Sequence, residues 1–292
     1  MRKDRGSVLI LALWILAFLS VLAVGVAARA QTQLHAALLL SGRAQSVQAA
    51  WGQVEQAAAL LRERQKEGKP LIEMKQEEFE ILDETGRISL NKASPESLTE
   101  LLEQAGLLPP ASAREIAQAI VDWRDPEEQI WDTPYPPRNS PFESVEELLL
   151  VEGIDEASFL KIRDLVTVFG DGKVNLNTAS KPVLKALGMS EALADRILEY
   201  RRGTDGSSGT EDDRTFTSVQ NFPSELSQAV GLADDLLAEA TALSGSDWFT
   251  VQSGLFRLVG YGRLAGRPHT RQIRCVMELA TGQVLEWHDH ED

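Results

Sequence analysis

Between Ser7 and Ala28 run 22 consecutive residues without a charged side chain, and no other stretch restricts the fold of this chain so strongly. As a helix rising 1.5 Å per residue, such a run reaches about 33 Å, enough to cross the hydrocarbon core of a bilayer. Arg2, Lys3 and Arg5 precede it, and Arg29 follows. Basic residues gathered on the N-terminal side keep that end in the cytoplasm and send the bulk of the chain across the membrane. A cleaved signal peptide shares the basic start and apolar centre, and Ala27-Ala28-Arg29-Ala30 offers a small-residue exit. The run is longer than a signal centre, however, and a helical pattern continues beyond it. Val47, Trp51, Val54, Ala58 and Leu61 advance by four, three, four and three positions, with Gln and Glu on the other faces. The spacing predicts one helix from Ser7 to about Lys66, roughly 90 Å long, with its first half in lipid and its second along a soluble domain.

The remaining residues are acidic. Of 44 Asp and Glu against 29 Lys and Arg, 30 acidic and 14 basic residues fall between positions 83 and 245, a balance of −16. A phosphate backbone meets net repulsion from such a segment, which argues against nucleic acid as a partner. The single cysteine, Cys275, excludes an internal disulfide framework and a multi-cysteine zinc site, and its place in an alternating strand pattern makes it a small core residue.

An internal repeat organises the acidic segment. Gly86-Arg87-Ile88-Ser89-Leu90-Asn91-Lys92-Ala93-Ser94-Pro95 recurs as Gly172-Lys173-Val174-Asn175-Leu176-Asn177-Thr178-Ala179-Ser180-Lys181. Each copy reads as a short extended piece entering a helix, with Ser94 and Ser180 as caps and Pro95 and Pro182 in the first turn. Helices are expected over 96–105, 113–123, 181–187 and 192–201, and 142–168 and 216–243 read as partner halves containing more helix. Toward the C-terminus, Phe249 to Leu264 is rich in strand formers, Ile273 to Leu279 alternates, and Val284 to Trp287 follows a turn at Gly282. With Phe79 to Leu82, these strands form a small antiparallel sheet against the helix from Val47 to Leu61. The fold class read from this pattern is α+β.

The leader and helix resemble type IV pilin-like proteins, in which a prepilin peptidase cuts a basic leader after a glycine; Gly6-Ser7 fits that cut, and the resemblance implies methylation of the new N-terminus. Most such proteins carry glutamate at the fifth mature residue, where this chain has Leu11. That departure is characteristic of the K-type minor pseudopilins of type II secretion. The phrases Asp83-Glu84-Thr85-Gly86-Arg87-Ile88-Ser89-Leu90-Asn91, Val121-Asp122-Trp123-Arg124-Asp125, Phe142-Glu143-Ser144-Val145-Glu146-Glu147-Leu148 and Lys173-Val174-Asn175-Leu176-Asn177-Thr178-Ala179-Ser180 resemble that family in their succession. The resemblance implies a pilin-like fold with a large inserted helical domain of helix-hairpin-helix or SAM-like character. Its parts would be a leader at 1–6, a transmembrane segment at 7–28, the rest of the pilin helix and the first strands at 29–90, the insertion at 91–245 and closing strands at 246–292. It also implies a subunit at the tip of the periplasmic pseudopilus that initiates or caps the fibre for export across the outer membrane. Implied partners are the I- and J-type minor pseudopilins, the major pseudopilin, the prepilin peptidase, and secreted cargo or the outer-membrane secretin. A carboxylate within an apolar helix is costly unless paired. A subunit with Leu11 cannot pair with the amine of a neighbour above it, and so can end a stack.

Helix-hairpin-helix units often bind DNA backbones through a glycine-hydrophobic-glycine turn, which makes a membrane-anchored DNA receptor the alternative reading. Here the turns Gly153-Ile154-Asp155 and Gly188-Met189-Ser190 lack the second glycine, and Asp155 brings a carboxylate where phosphate would sit. Enzyme chemistry has little support: the four histidines lack metal-site spacing, no nucleophile elbow, P-loop or dinucleotide fingerprint occurs, and the Ser-x-x-Lys pattern at Ser158-Phe159-Leu160-Lys161 is one that arises often by chance on helices. One metal site is a candidate. Asp122, Asp125, Glu127, Glu128 and Asp132 cluster in a loop leading into prolines, and hard oxygen ligands at that density suit calcium, which the resemblance also implies.

Overall fold

Helix α1 (Arg5–Lys66) runs unbroken for 62 residues through a computed structural model that describes residues 5–71, 73–105, 110–125, 139–210, 212–263 and 271–291. Arg64 and Lys66 sit in its last turn, where cations oppose the helix dipole. The chain leaves the helix through Gly68 in the left-handed region (φ 65°), and the Lys69 amide bonds back to the Arg64 carbonyl at 2.9 Å.

The C-terminal half of α1 lies on a five-stranded antiparallel sheet of order β1-β2-β7-β8-β9, formed by β1 (Met74–Lys75), β2 (Phe79–Asp83), β7 (Leu255–Gly262), β8 (Arg271–Glu278) and β9 (Val284–Glu291). Ala50, Val54, Ala57, Ala58 and Leu61 are buried against Phe79, Ile81, Phe256, Leu258, Ile273, Cys275 and Met277. Val47 and Trp51 flank this stripe and are only partly buried. Contact between helix and sheet depends on Gly260 and Gly262 of β7. A Cβ on Gly260 would stand 2.2 Å from the Ala50 carbonyl oxygen, and one on Gly262 would stand 1.8 Å from that of Ser46. No side chain fits there, so the two glycines set the distance at which α1 crosses β7. Cys275 faces this core, and burial pushes its thiol up to about 11, which leaves it an unreactive core residue.

Between β2 and β7 the chain makes two copies of one arrangement. The first contains β3 (Ile88–Ser89), α2 (Pro95–Gln104), α3 (Pro110–Arg124), a 3-10 segment (Val145–Leu150), α4 (Glu156–Ile162) and β4 (Val166–Thr167). The second contains β5 (Val174–Asn175), α5 (Lys181–Ala186), α6 (Glu191–Arg201), α7 (Phe222–Val230), α8 (Asp234–Ser244) and β6 (Phe249–Thr250). In each, the opening and closing strands pair in parallel, Ile88 with Val166 and Val174 with Phe249. An asparagine then ties the copy together. The Asn91 amide group donates to the Phe142 and Val168 carbonyls and accepts from the Phe142 amide; Asn177 does the same with the Phe216 and Val251 carbonyls and the Phe216 amide. Each side chain satisfies three backbone groups that would otherwise be stranded near a core.

The copies pack on each other reciprocally. A Cβ on Gly86 would meet Thr178 at 2.7 Å, and one on Gly172 would meet Lys92 at 2.8 Å, and these are corresponding positions of the repeat. The same contact made in both directions marks a local two-fold relation. Leu98, Leu101 and Leu102 of α2 share one core with Val183 and Leu184 of α5, separate from the core under the sheet.

Three local expectations differ from the structure. Phe249 to Leu264 is not one strand: Phe249–Thr250 closes the second helical copy, and the sheet strand begins at Leu255. Strand formers at Phe249 are satisfied by a parallel partner that lies far away in sequence, which alternation cannot identify. The first partner half is less helical than expected, its Val145–Leu150 stretch being 3-10. Strand β9 extends past Trp287 to Glu291.

Candidate functional site

Among the described residues, nothing covers the N-terminal half of α1. Leu9 to Leu16, Phe18, Leu19, Leu22 and Val26 are exposed, Leu11 by 62% and Trp14 by 73%, and the apolarity continues through Leu34 and Leu38–Leu40. This is the one helix among the described residues long and apolar enough to cross a membrane. Its few polar side chains are suited to lipid because they satisfy themselves: the Ser20 hydroxyl donates to the Leu16 carbonyl at 2.8 Å, and Thr32 donates to that of Ala28 at 3.0 Å. Gly6 and Ser7 lie in the first turn of the helix, while the leader residues Arg2, Lys3 and Asp4 fall outside the described residues.

At the other end, two adjacent acids join the sheet to the two helical copies. Asp83 ends β2 and serves the second copy: its carboxylate accepts from Asn175 Nδ2 at 2.7 Å, Thr178 Oγ1 at 2.6 Å, the Thr85 amide at 2.9 Å and the Ser253 hydroxyl. Burial raises its pKa in spite of these donors. Glu84 serves the first copy, pairing with Arg87 and, at 2.8 Å, with Arg257 of β7. Glu73, raised in pKa by burial, accepts from the Asp83 amide at 3.0 Å. These buried groups are engaged with one another, which makes them joints.

Of the calcium candidates, Asp122 and Asp125 are described, and Glu127, Glu128 and Asp132 lie outside the described residues. Asp122, in the last turn of α3, accepts from Gln118 Nε2 at 2.7 Å, and Asp125 is exposed beside Arg124 Nε at 3.1 Å. A different group, invisible to sequence spacing, brings Glu146 together with Glu286 and His288 of β9, their ligand atoms all within 4.8 Å of one another. Arg163, Arg257 and Arg274 line the same small cavity, and His288 Nε2 lies 2.9 Å from Glu286 Oε1. Three guanidinium charges oppose a cation there, so the cluster reads as an ion-pair network.

At both hairpin turns named from the sequence, an acid of the chain itself takes a helix-start amide. At Gly153-Ile154-Asp155, the Asp155 carboxylate caps α4 by accepting from the Ser158 amide at 2.8 Å. At Gly188-Met189-Ser190, the Ser190 amide is taken by Glu239 Oε1 at 2.6 Å. The structure adds a turn that sequence reading missed, Gly231-Leu232-Ala233 between α7 and α8, which is the counterpart of the Gly153 turn in the repeat. All three glycines have positive φ, at 90°, 85° and 69°. The missed turn also opens onto acid, with Asp234 and Asp235 in the first turn of α8. Its signal was present as Val-Gly-Leu, but Gly231 follows Phe216 by 15 residues where Gly153 follows Phe142 by 11, and that insertion hides the correspondence.

Comparison with known proteins agrees with this layout. Residues 79–171 match a family model described as "Type II secretion system (T2SS), protein K", and residues 174–244 match a second model with the same description. Together they take in more than half of the 292 residues, and the break between them falls between the two helical copies. A chain in the crystal structure of the GspK-GspI-GspJ complex from enterotoxigenic Escherichia coli Type 2 Secretion System is similar in fold, with a TM-score of 0.54 and 16% identity over 90% of this chain and 99% of that one. No curated protein sequence matches.

Proposed function

Because this chain belongs to the type II secretion system protein K family, whose members serve as minor pseudopilins, we propose that it stands at the tip of the pseudopilus and initiates or caps the fibre. The observation that carries this reading is the bare N-terminal half of α1, apolar on all faces and without a carboxylate at Leu11. Such a surface is stable in lipid or among similar helices, and in water it is not. In the proposed sequence of events the helix inserts with its N-terminus in the cytoplasm and a prepilin peptidase cuts between Gly6 and Ser7. The trimmed subunit is methylated and packs beside I- and J-type minor pseudopilins above the major pseudopilin. A subunit seated above would have no acid at position 11 to pair with its own N-terminal amine, and the bulky helical copies occupy the space it would need.

The two copies serve as helix-hairpin-helix or SAM-like units turned to protein contact, in reach of secreted cargo or the outer-membrane secretin. Their role is structural, without catalysis. Acids occupying or flanking the turns at Ser190, Asp155 and Asp234 favour this over the alternative of a DNA receptor. Calcium held by Asp122 and Asp125 with Glu127, Glu128 and Asp132 would tie the end of α3 to the acidic stretch that follows it in sequence.

Co-purification from membranes tests the assembly: the wild-type protein is expected to bring down two other pilin-like proteins, and its mature N-terminus by mass spectrometry is expected at Ser7. A start near Ala30 sinks the proposal. Leu11→Glu is expected to impair fibre initiation and length control, and fibres of unchanged number and length would remove the capping argument.

A further inference from the structure

A broad cleft lies on the helical copies, between the start of α2 and the α5–α6 turn. It measures about 730 Å³ and includes Leu187, Gly188 and Met189 in its lining. Trp248 stands at its side, 52% exposed, next to the turn: a Cβ on Gly188 would lie 4.0 Å from the indole ring. An aromatic ring left half in water on a concave surface is an unused contact face.

The charges around the ring select its ligand. Glu96 and Glu100 rise from α2 and Glu239 from α8, against Lys185, the one cation among the described lining residues, which is itself paired with Glu191 at 3.3 Å. A helix-start turn ordinarily offers its amides to an anion. Here Glu239 already takes the Ser190 amide at 2.6 Å, so the anion site is filled from within the chain and the rim around it is negative. The polarity of the turn has been inverted.

We propose that this cleft binds a lysine- or arginine-bearing extended segment of a partner protein, with the cationic group over the Trp248 ring and Glu96 and Glu100 beside it. The placement rests on the tip reading above, since only a subunit whose helical copies face outward can present the cleft. Charge complementarity and cation–π attraction supply the recognition: the segment 83–245 carries −16, and a cation over tryptophan gains further when the surrounding surface excludes water.

The test uses the full-length protein in non-ionic detergent and a terminally blocked Arg-Gly-Arg-Gly-Arg peptide at low salt, followed by calorimetry and tryptophan emission. Binding is expected with Trp248 emission perturbed. Trp248→Leu is expected to weaken it about tenfold, as loss of a partly desolvated cation–π contact does, with Trp248→Tyr restoring most of it. Glu96→Gln with Glu100→Gln is expected to weaken it about threefold, and that effect should shrink with added salt. Trp248 is half exposed, so these variants leave the core intact. No binding at about 1 mM peptide, equal binding of a Glu-Gly-Glu-Gly-Glu peptide, or undiminished binding by Trp248→Leu overturns the proposal. Pull-down of pilin-like partners from the same preparations separates the two readings. Partners retained without peptide binding removes the cleft alone, and peptide binding without partners removes the assembly role alone.

Discussion

The two helical copies share a backbone plan and differ in how they meet the sheet. Both use a parallel strand pair and an asparagine clamp, yet only the second docks on Asp83. The deciding residues are two positions of the repeat: Asn175 and Thr178, which donate to Asp83, correspond to Ser89 and Lys92 in the first copy. The Ser89 hydroxyl is buried and meets no hydrogen-bond partner among the described residues. The first copy is held instead by Arg87, through Glu84 and the Asp164 carbonyl at 2.9 Å. Duplication therefore supplied the fold of each unit, and a few polar exchanges assigned each unit its seat.

Variants in detergent-solubilised full-length protein, followed by urea unfolding, can break or sharpen that comparison. The largest effect lies outside both copies. Gly262→Val drives a side chain into the Ser46 carbonyl and is expected to cost more than about 3 kcal/mol by lifting α1 from β7. Asp83→Ala strands donors from four residues and is expected to cost about 3 kcal/mol, loosening the second copy before the first, as hydrogen exchange would show. Asn91→Ala and Asn177→Ala are expected to cost about 2 kcal/mol each; a large inequality would mean that the clamps are not equivalent.

A pH series isolates the joint at Asp83. Burial raises the pKa of Glu73 and Asp83 when folded, and a raised carboxyl favours the native state while protonated. Their contribution is full below about pH 4 and is lost as pH rises through the raised values. Exposed Asp155 and Glu191, lowered by hydrogen bonds, trend the opposite way. Glu73→Gln with Asp83→Asn should therefore flatten the loss of stability with rising pH relative to wild type, and an unchanged difference curve would exclude these two groups as its source. The smallest effect sharpens the contrast most. Ser89→Ala removes a buried hydroxyl that has no partner among the described residues and is expected to stay within about 0.5 kcal/mol of wild type, whereas Asn175→Ala at the matching position is expected to cost more than about 1 kcal/mol.

Much of the candidate site was legible because its signals are local. An uncharged run, a four-three spacing and a leucine at position 11 need no neighbours to be read. The repeat announced two similar units for the same reason. Gly260 and Gly262 were not legible as the sites of helix contact, since a glycine in a strand says that something approaches without saying what. The Glu146–Glu286–His288 cluster joins a helical copy to the sheet, the cleft at Trp248 joins distant parts of the two helical copies, and the acidic stretch after α3 gave a calcium pattern of which two members are described.

Sequence alone determined that one end of this protein must avoid water and that the acidic remainder is built on a duplicated unit, because periodicity and charge act within a few residues. Tertiary structure decided which strand ends a copy and which opens the sheet, which copy sits on Asp83, and which turn amide receives Glu239. Each of those outcomes depends on a hydrogen-bond partner scores of residues away, and only the folded chain brings such partners within 3 Å.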